Sequence, residues 1–382
     1  MPEPLTIFHL VSLMGIGGRC ATALRQMRLL SARGHRVMLG CLKGSTAAQR
    51  GRELGLTVYD DFEFKRGFRP SVFYSDCKKL AARCDAANVN IVHAHLSQES
   101  WVACLGVKLA KKKPRVIRSR GVVVPIKSHL FNRWMHNSLT DLLVVPSDII
   151  HRHILSLPGF DPQRVRLIYD GVDTERFNTQ VDGSPIRAEF KIPANAPLVV
   201  MIARLEPVKG HSVFFKALRD LKTSGRVPGL QALCACDERT AGVFDKTVKE
   251  AREQFGLDES FLKFTGMRKD PERIIAAANV IALPSLGSEG SSRVALESAA
   301  SGVPIIASDA GCLPETVLHG KTGLIVPRGQ YEPLSNALAE ILLDPKRAKE
   351  MGTAARAHAE AEYAETIMID RLEAAYRAQA GA

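Results

Sequence analysis

Several things are scarce or missing in this 382-residue chain. Aromatic residues make up only 6% and are not interleaved with basic residues. A nucleic-acid surface built on base stacking is therefore not expected. No apolar run approaches the ~18 residues of a membrane span. The eight cysteines include no Cys-x2-Cys pair, which argues against a zinc ribbon and for reduced, buried thiols. No basic leader precedes the first strand pattern, Leu5-Thr6-Ile7-Phe8-His9-Leu10-Val11, so a cytoplasmic location is expected. No complete Gly-x-Gly-x-x-Gly is present after that strand, because Cys20 stands at the third glycine position.

What is present is basic charge, unevenly placed. The net charge is +12. Residues 1–172 hold 26 Lys+Arg against 12 Asp+Glu, and the rest of the chain holds 26 against 28. The excess lies wholly in the first half. Lys65, Arg66 and Arg69 form one cluster, Lys108, Lys111, Lys112, Lys113 and Arg115 another, followed by Arg118, Arg120, Lys127 and Arg133. Such a half suits an anionic membrane surface or an acceptor carrying phosphate.

Hydrophobic patterning alternates strand and helix twice. Strands are expected at 5–11, 35–41, 56–59, 90–94, 115–119, 141–146 and 165–169, with helices at 19–32, 70–87, 97–110 and 127–138. The pattern restarts with strands at 197–203, 229–235, 261–265, 279–283, 304–307 and 323–326 and helices at 209–222, 239–255, 270–277, 292–301 and 330–343. The runs Ile91-Val92-His93-Ala94 and Leu142-Leu143-Val144-Val145 are continuous and apolar, as strands buried on both faces of a parallel sheet must be. The expected fold class is α/β, with two doubly wound parallel sheets in tandem and a boundary in the turn-rich stretch 173–184. Beyond residue 345 the chain reads as nearly all helix, with Ala, Glu and Arg dominant and Tyr363 standing in an otherwise small, charged run.

Five motifs can carry chemistry. The most informative runs from Ser288 through Glu289, Gly290, Ser291, Ser292, Arg293 and Val294 to Glu297, ending at Gly302 and Pro304. A strand, a small-residue turn and a helix start make an anion pocket from unpaired N–H groups, and two carboxylates around it suit a polyol. Arg204, at a strand end, with Lys209-Gly210 five residues on, suits a pyrophosphate. Met14-Gly15-Ile16-Gly17-Gly18 reads either as a tight strand-to-helix turn with no ligand role or as a turn facing an interdomain cleft. His93-Ala94-His95 puts two imidazoles on one strand face; without an evident third ligand a polar strand end is preferred over zinc. Gly266-Met267-Arg268 reads equally as a turn or as the edge of a base pocket.

Together, Glu289-x7-Glu297, Arg204 with Lys209-Gly210, the loop at 15–18 and Asp170-Gly171-Val172-Asp173 resemble the retaining glycosyltransferases of family 4. The resemblance covers residues 5–345 and implies the GT-B fold. It implies an N-terminal acceptor-binding domain, 1–175 plus 361–382, and a C-terminal donor-binding domain, 176–360, facing a cleft. The last helix would cross back to the first domain. It further implies transfer of a hexose from a nucleotide diphosphate sugar, with UDP the first expectation, to a glycan or lipid-linked acceptor such as lipopolysaccharide core.

By that resemblance Arg204 and Lys209 bind the diphosphate, Glu297 the ribose and Glu289 the hexose. Backbone N–H groups of Gly290, Ser291, Ser292, Arg293 and Val294 hold sugar and phosphate. Gly17 and Gly18 approach the diphosphate, and Arg268 borders the base. His95, Arg118 and Arg120 fall on the acceptor side. Neither a metal nor a cofactor is expected. Relatives carry a histidine where this chain has Gly121, and Phe-Gly where it has Ser291-Ser292. A nucleotide-sugar 2-epimerase or a non-catalytic nucleotide-sugar-binding protein are the alternatives on the same fold.

Overall fold

A computed structural model describes all residues except Met1, Pro2, Ile16, Arg66, Phe68, 238–240, Ser288 and Ala382, together with the Asp237 side chain. Ile16 of the glycine loop, Arg66 of the first basic cluster, Ser288 at the head of the glutamate segment and the start of the helix expected at 239–255 thus lie outside the described residues. The chain divides into two compact units: Met1–Asp170 with Thr366–Ala382, and Gly171–Glu365.

The first unit holds β1 (Thr6–Val11), β2 (Arg36–Leu42), β3 (Thr57–Phe62), β4 (Ile91–Ala94), β5 (Arg115–Ser119), β6 (Leu142–Val145) and β7 (Val165–Leu167). They form one parallel sheet in the order β3-β2-β1-β4-β5-β6-β7. Side chains of a strand alternate between faces, and the sequence obeys this. Ile7 enters a core shared with the helix Gly18–Ala32, while its neighbour Phe8 enters another with the helices Pro70–Ala87 and Ser97–Leu109. The second unit repeats the plan with β8 (Leu198–Arg204), β9 (Gln231–Asp237), β10 (Leu262–Phe264), β11 (Val280–Leu283), β12 (Ile305–Ser308) and β13 (Gly323–Val326), all parallel, in the order β10-β9-β8-β11-β12-β13. Each sheet reverses its strand order once, between β1 and β4 and between β8 and β11. Ligands of open parallel sheets bind beyond the carboxyl ends of the strands at such a reversal.

All eight cysteines are free and buried. The helix expected at 127–138 forms only over Leu130–Trp134 and then widens into a π-turn, Met135–Leu139. A side chain causes this: Thr140 Oγ1 donates to the Met135 carbonyl at 2.8 Å, so that carbonyl is drawn out of the regular ladder. Among the described residues four α-helices escaped the patterning, Thr46–Glu53, Asp148–Leu155, Ser184–Glu189 and Leu313–Thr316. The first begins where Ser45 Oγ accepts from the Ala48 N–H at 3.2 Å, a cap that the sequence announces.

The stretch beyond 345, expected as nearly all helix, is broken once. The helix Pro345–His358 runs into a π-turn, Ala359–Tyr363, and Ala364 is extended. The Val172 N–H donates to the Tyr363 carbonyl at 2.7 Å and the Glu365 N–H to the Val172 carbonyl at 2.9 Å. After this short bridge the helix Glu365–Ala380 places Met368, Ile369, Leu372 and Tyr376 in the core of the first unit. Tyr376 is fully buried, with its hydroxyl 2.5 Å from His93 Nδ1. Tyr376→Phe leaves that buried nitrogen unpaired and is expected to cost about 1–3 kcal/mol in urea unfolding at pH 7. An unchanged unfolding midpoint would show that the hydrogen bond does not anchor the helix.

Candidate active site

In the second unit the sheet reversal brings Arg204, the last residue of β8, beside the loop that leaves β11. That loop is held on every side. The Leu286 N–H donates to the Val208 carbonyl at 2.7 Å, Ser308 Oγ to the Ser285 carbonyl at 2.5 Å, and the Cys312 N–H to the Glu289 carbonyl at 2.8 Å. Two glycines make the fit possible. Gly210 has φ +76°, and a Cβ there would lie 2.0 Å from the Pro284 carbonyl oxygen. Gly311 has φ +56°, and its Cβ would lie 2.2 Å from the Glu289 carbonyl oxygen. Both need a left-handed backbone and a missing side chain at once.

The result is a buried ion pair. Lys209 Nζ lies 2.6 Å from Glu289 Oε1, and Ser285 Oγ donates to the same oxygen at 2.6 Å. Glu289 is only 5% exposed. Burial, and then the Lys209 charge, push the neighbouring His211 down to about 4, so it is neutral at pH 7. Four residues beyond Glu289 starts the helix Arg293–Ala300. Ser292 is its N-cap residue, yet among the described residues its side chain makes no capping hydrogen bond. Its leading N–H groups are thus left for another partner. Gly290 and Ser292 are buried, and Ser291, Arg293 and Val294 half-buried, along this turn. Glu297 is buried one turn further on and accepts from Arg293 Nη2 at 2.8 Å. Glu289, Lys209, Glu297 and the helix start are therefore brought together, with Arg204 on the adjoining strand end. Arg204 Nη1 is 2.7 Å from Glu206 Oε1. Arg268 stands apart in its bonding: its guanidinium is held by Glu189 at 2.6 Å and Asp270 at 2.8 Å, which raise its pKa.

In the first unit Gly17 and Gly18 open the helix after β1. Gly17 is extended at φ −115°, and a Cβ on Gly18 would meet nothing within 4 Å. The fold itself does not demand a glycine at Gly18. At the reversal between β1 and β4 lies a cluster that sequence reasoning saw only in part. His93 and His95 are joined by His9 from β1, and the three can bring one ring nitrogen each within 4.8 Å of one another. The third imidazole was hidden because it lies more than eighty residues away in the chain. Hydrogen bonds occupy most of these nitrogens: His9 Nδ1 is 2.8 Å from His95 Nε2, and His93 Nε2 is 2.7 Å from Ser119 Oγ.

Two family models match the chain: "Glycosyltransferase Family 4" over residues 16–176 and "Glycosyl transferases group 1" over residues 183–358. The chain belongs to glycosyltransferase family 4. Among curated relatives, a GDP-mannose-dependent monoacylated alpha-(1-6)-phosphatidylinositol monomannoside mannosyltransferase of Corynebacterium glutamicum is 34% identical over 61% of this chain and 61% of its own length. A D-inositol 3-phosphate glycosyltransferase of Saccharomonospora viridis is 28% identical over 78% of this chain and 72% of its own. A solved glycosyltransferase from Rickettsia africae superimposes with a TM-score of 0.90 at 20% identity, covering 99% of both chains. The fold is GT-B.

At Gly121 the resemblance implied a histidine. A Cβ on Gly121 would meet Arg19 Cδ at 3.4 Å and Pro146 Cγ at 3.6 Å. Arg19, which sequence reasoning passed over, thus fills the space beside Gly121. Glu99, on the helix Ser97–Leu109, is fully buried, and burial pushes it up to about 7.

Gly210→Ala is expected to destabilise by at least ~2 kcal/mol, since the left-handed φ and the clash with backbone act together. Equilibrium urea unfolding checks this, and a variant as stable as the wild type would contradict it. A second expectation concerns pH. Burial lowers the pKa of His9, His93 and His95, the last to about 3, and neighbouring imidazoles lower the first two further. In the unfolded chain each titrates near ~6.5. Their contribution is complete above that value and is lost as pH falls, because only the unfolded chain takes up the protons. Glu99 opposes this with its raised pKa, but one carboxyl faces three imidazoles, and His211 adds to the histidine side. Between pH 7 and 5 the stability should fall by roughly 1 kcal/mol per pH unit for each net proton. Urea midpoints at the two pH values, in wild type and His95→Gln, give the slope and its expected flattening.

Proposed function

We propose that this chain transfers a hexose, with retention, from a nucleotide diphosphate sugar to a hydroxyl of a glycan or lipid-linked acceptor. The supporting observation is the Lys209–Glu289 pair, 2.6 Å apart, set at a sheet reversal just before an uncapped helix N-terminus. A cation, a carboxylate and free N–H groups suit a site that must hold a diphosphate and a polyol together. Lys209, Arg204 and the leading N–H groups of the helix Arg293–Ala300 take the diphosphate and the charge that grows on it. Glu297 takes the ribose hydroxyls, and Glu289 orients the hexose. Arg268, through the turn it fixes, borders the base.

In the reaction the bond from C1 to the diphosphate oxygen breaks, and the electron pair leaves with that oxygen. The acceptor oxygen bonds C1 on the same face, and its proton passes to the departing phosphate. Fixed cations and N–H dipoles stabilise the leaving charge without reorganising. In this reading no metal takes part, so turnover should survive EDTA.

The names of the relatives bear on the donor. The 34% identical relative is named for GDP-mannose, which puts GDP-mannose beside UDP-sugars as the donors to test first. The acceptor panel joins phosphatidylinositol mannosides and inositol phosphates to lipopolysaccharide core. No helix among the described residues is long and apolar enough to cross a membrane. Leu130, Phe131 and Trp134 are nonetheless exposed, at 72%, 66% and 43%, beside Lys127 and Arg133. This suits peripheral docking on an anionic membrane at its cytoplasmic face. Salt-sensitive sedimentation with phosphatidylglycerol vesicles is expected, and no binding at low ionic strength would sink it.

Thermal-shift titration with UDP, GDP, ADP and their sugars tests the donor site. Arg204→Ala and Glu297→Ala should each weaken nucleotide binding by about tenfold or more. Glu289→Ala should keep nucleotide binding and lower kcat by roughly a hundredfold. A nucleotide shift untouched by Arg204→Ala would count against the diphosphate role. NMR of the product should show the donor's anomeric configuration retained. Sugar released or epimerised with no dependence on acceptor would instead favour the 2-epimerase, and binding without turnover a non-catalytic role.

A further inference from the structure

Arginines in this protein usually end on a carboxylate. Arg33 reaches Asp370 and Glu373, Arg83 reaches Asp61, and Arg115 reaches Asp141. Arg118 and Arg120 do not, among the described residues. Arg118 Nη1 donates to Thr140 Oγ1 at 3.3 Å, and Arg120 Nη2 donates to the Val124 carbonyl. The Nε of each is buried with no hydrogen-bond partner. An orphaned, buried guanidinium N–H costs folding free energy, and two of them together cost more.

The pair is also placed for use. Arg118 lies on β5 and Arg120 one residue past its carboxyl end. Two residues apart on extended chain, they point to one face, while Ser119 between them turns to His93. Both line a cavity of about 350 Å³, within the range of small-molecule sites, about 300–1,000 Å³. Lys127 adds a third cation, and Trp101, Ile126 and Phe160 supply apolar wall. Among the described residues no acidic one lines it. Burial lowers the pKa of both arginines, and the charges of Arg118 and Arg19 lower that of Arg120 further. This is a desolvated cationic cluster without a counterion.

We propose that this cavity holds a dianionic phosphate monoester on the acceptor, gripped by Arg118 and Arg120, with the Trp101–Phe160 wall against the body that carries the phosphate. The assignment rests on the glycosyltransferase reading, because it gives that reaction its acceptor class. Two guanidinium forks match the charge and the several oxygens of a phosphate. The adjoining wall favours a ligand whose phosphate is attached to a ring or an apolar chain.

The experiment is calorimetric titration of the full-length protein with benzyl phosphate, phenylacetate and benzyl alcohol. It is done in an Arg204→Ala background, so that phosphate is not read at the donor site. Benzyl phosphate should bind, phenylacetate more weakly, and benzyl alcohol not measurably. Arg118→Met should weaken benzyl phosphate by at least about tenfold. It should also melt no lower than its parent, since it removes an unpaired buried charge. If Arg118→Met does not fold, Arg120→Met, at a half-buried position, gives the same readout. Benzyl phosphate binding unchanged by either substitution, or benzyl alcohol binding as tightly, would overturn the proposal. Equal binding of phenylacetate would overturn the assignment to phosphate. UDP and GDP binding to protein with Arg204 intact separates the two readings. If nucleotides bind and benzyl phosphate ignores Arg118, the cavity proposal fails alone; if no nucleotide binds, the glycosyltransferase reading fails.

Discussion

The second unit of this protein turns on the approach of Gly210 to the Pro284 carbonyl. Nothing larger than hydrogen fits there, since a Cβ would lie 2.0 Å from that oxygen. The contact locks the end of β8 to the loop after β11, and Gly311 locks the far side of the same loop. Between them Lys209 and Glu289 meet at 2.6 Å in a place where only a fixed pair is tolerable. The helix that follows then starts uncapped, and Glu297 is carried one turn into it. Charge placement here follows from backbone contact, not the reverse.

The first unit handles charge differently. Its three clustered histidines are kept neutral by burial; His9 and His95 are hydrogen-bonded to each other, and Tyr376 ties the last helix to His93. A few residues away Arg118 and Arg120 are left with buried, unsatisfied N–H groups. One cluster is electrostatically closed and the other open. Stability resides in the first, and the open cluster marks where an anion is wanted.

Much of the fold was legible. The strand 323–326 and the helix 70–87 stand where the patterning puts them, because buried parallel strands are continuously apolar and helices repeat near 3.6 residues; 115–119 does too, although only Val116 and Ile117 of it are apolar. The π-turn at Met135–Leu139 was not legible, since it depends on a hydroxyl from Thr140 reaching back to a carbonyl. The short helix Thr46–Glu53 was missed although its Ser45 cap was in plain view. Of the site, the glutamate segment and Arg204-Lys209 were readable as strand-end motifs. That Lys209 pairs with Glu289, eighty residues on, was not.

By itself the sequence determined the alternation of elements, the restart that makes two sheets, and the residue types at each strand end. Periodicity and local turn chemistry suffice for those, because they act over a few residues. Only tertiary structure decided which charges are satisfied. It joined His9 to His93 and His95, set Arg19 beside Gly121, committed Arg268 to Glu189 and Asp270, and left Arg118 and Arg120 without carboxylates. The reason is physical: the partner of a charge is fixed by distance in space and by burial, and strand order in the sheets sets both.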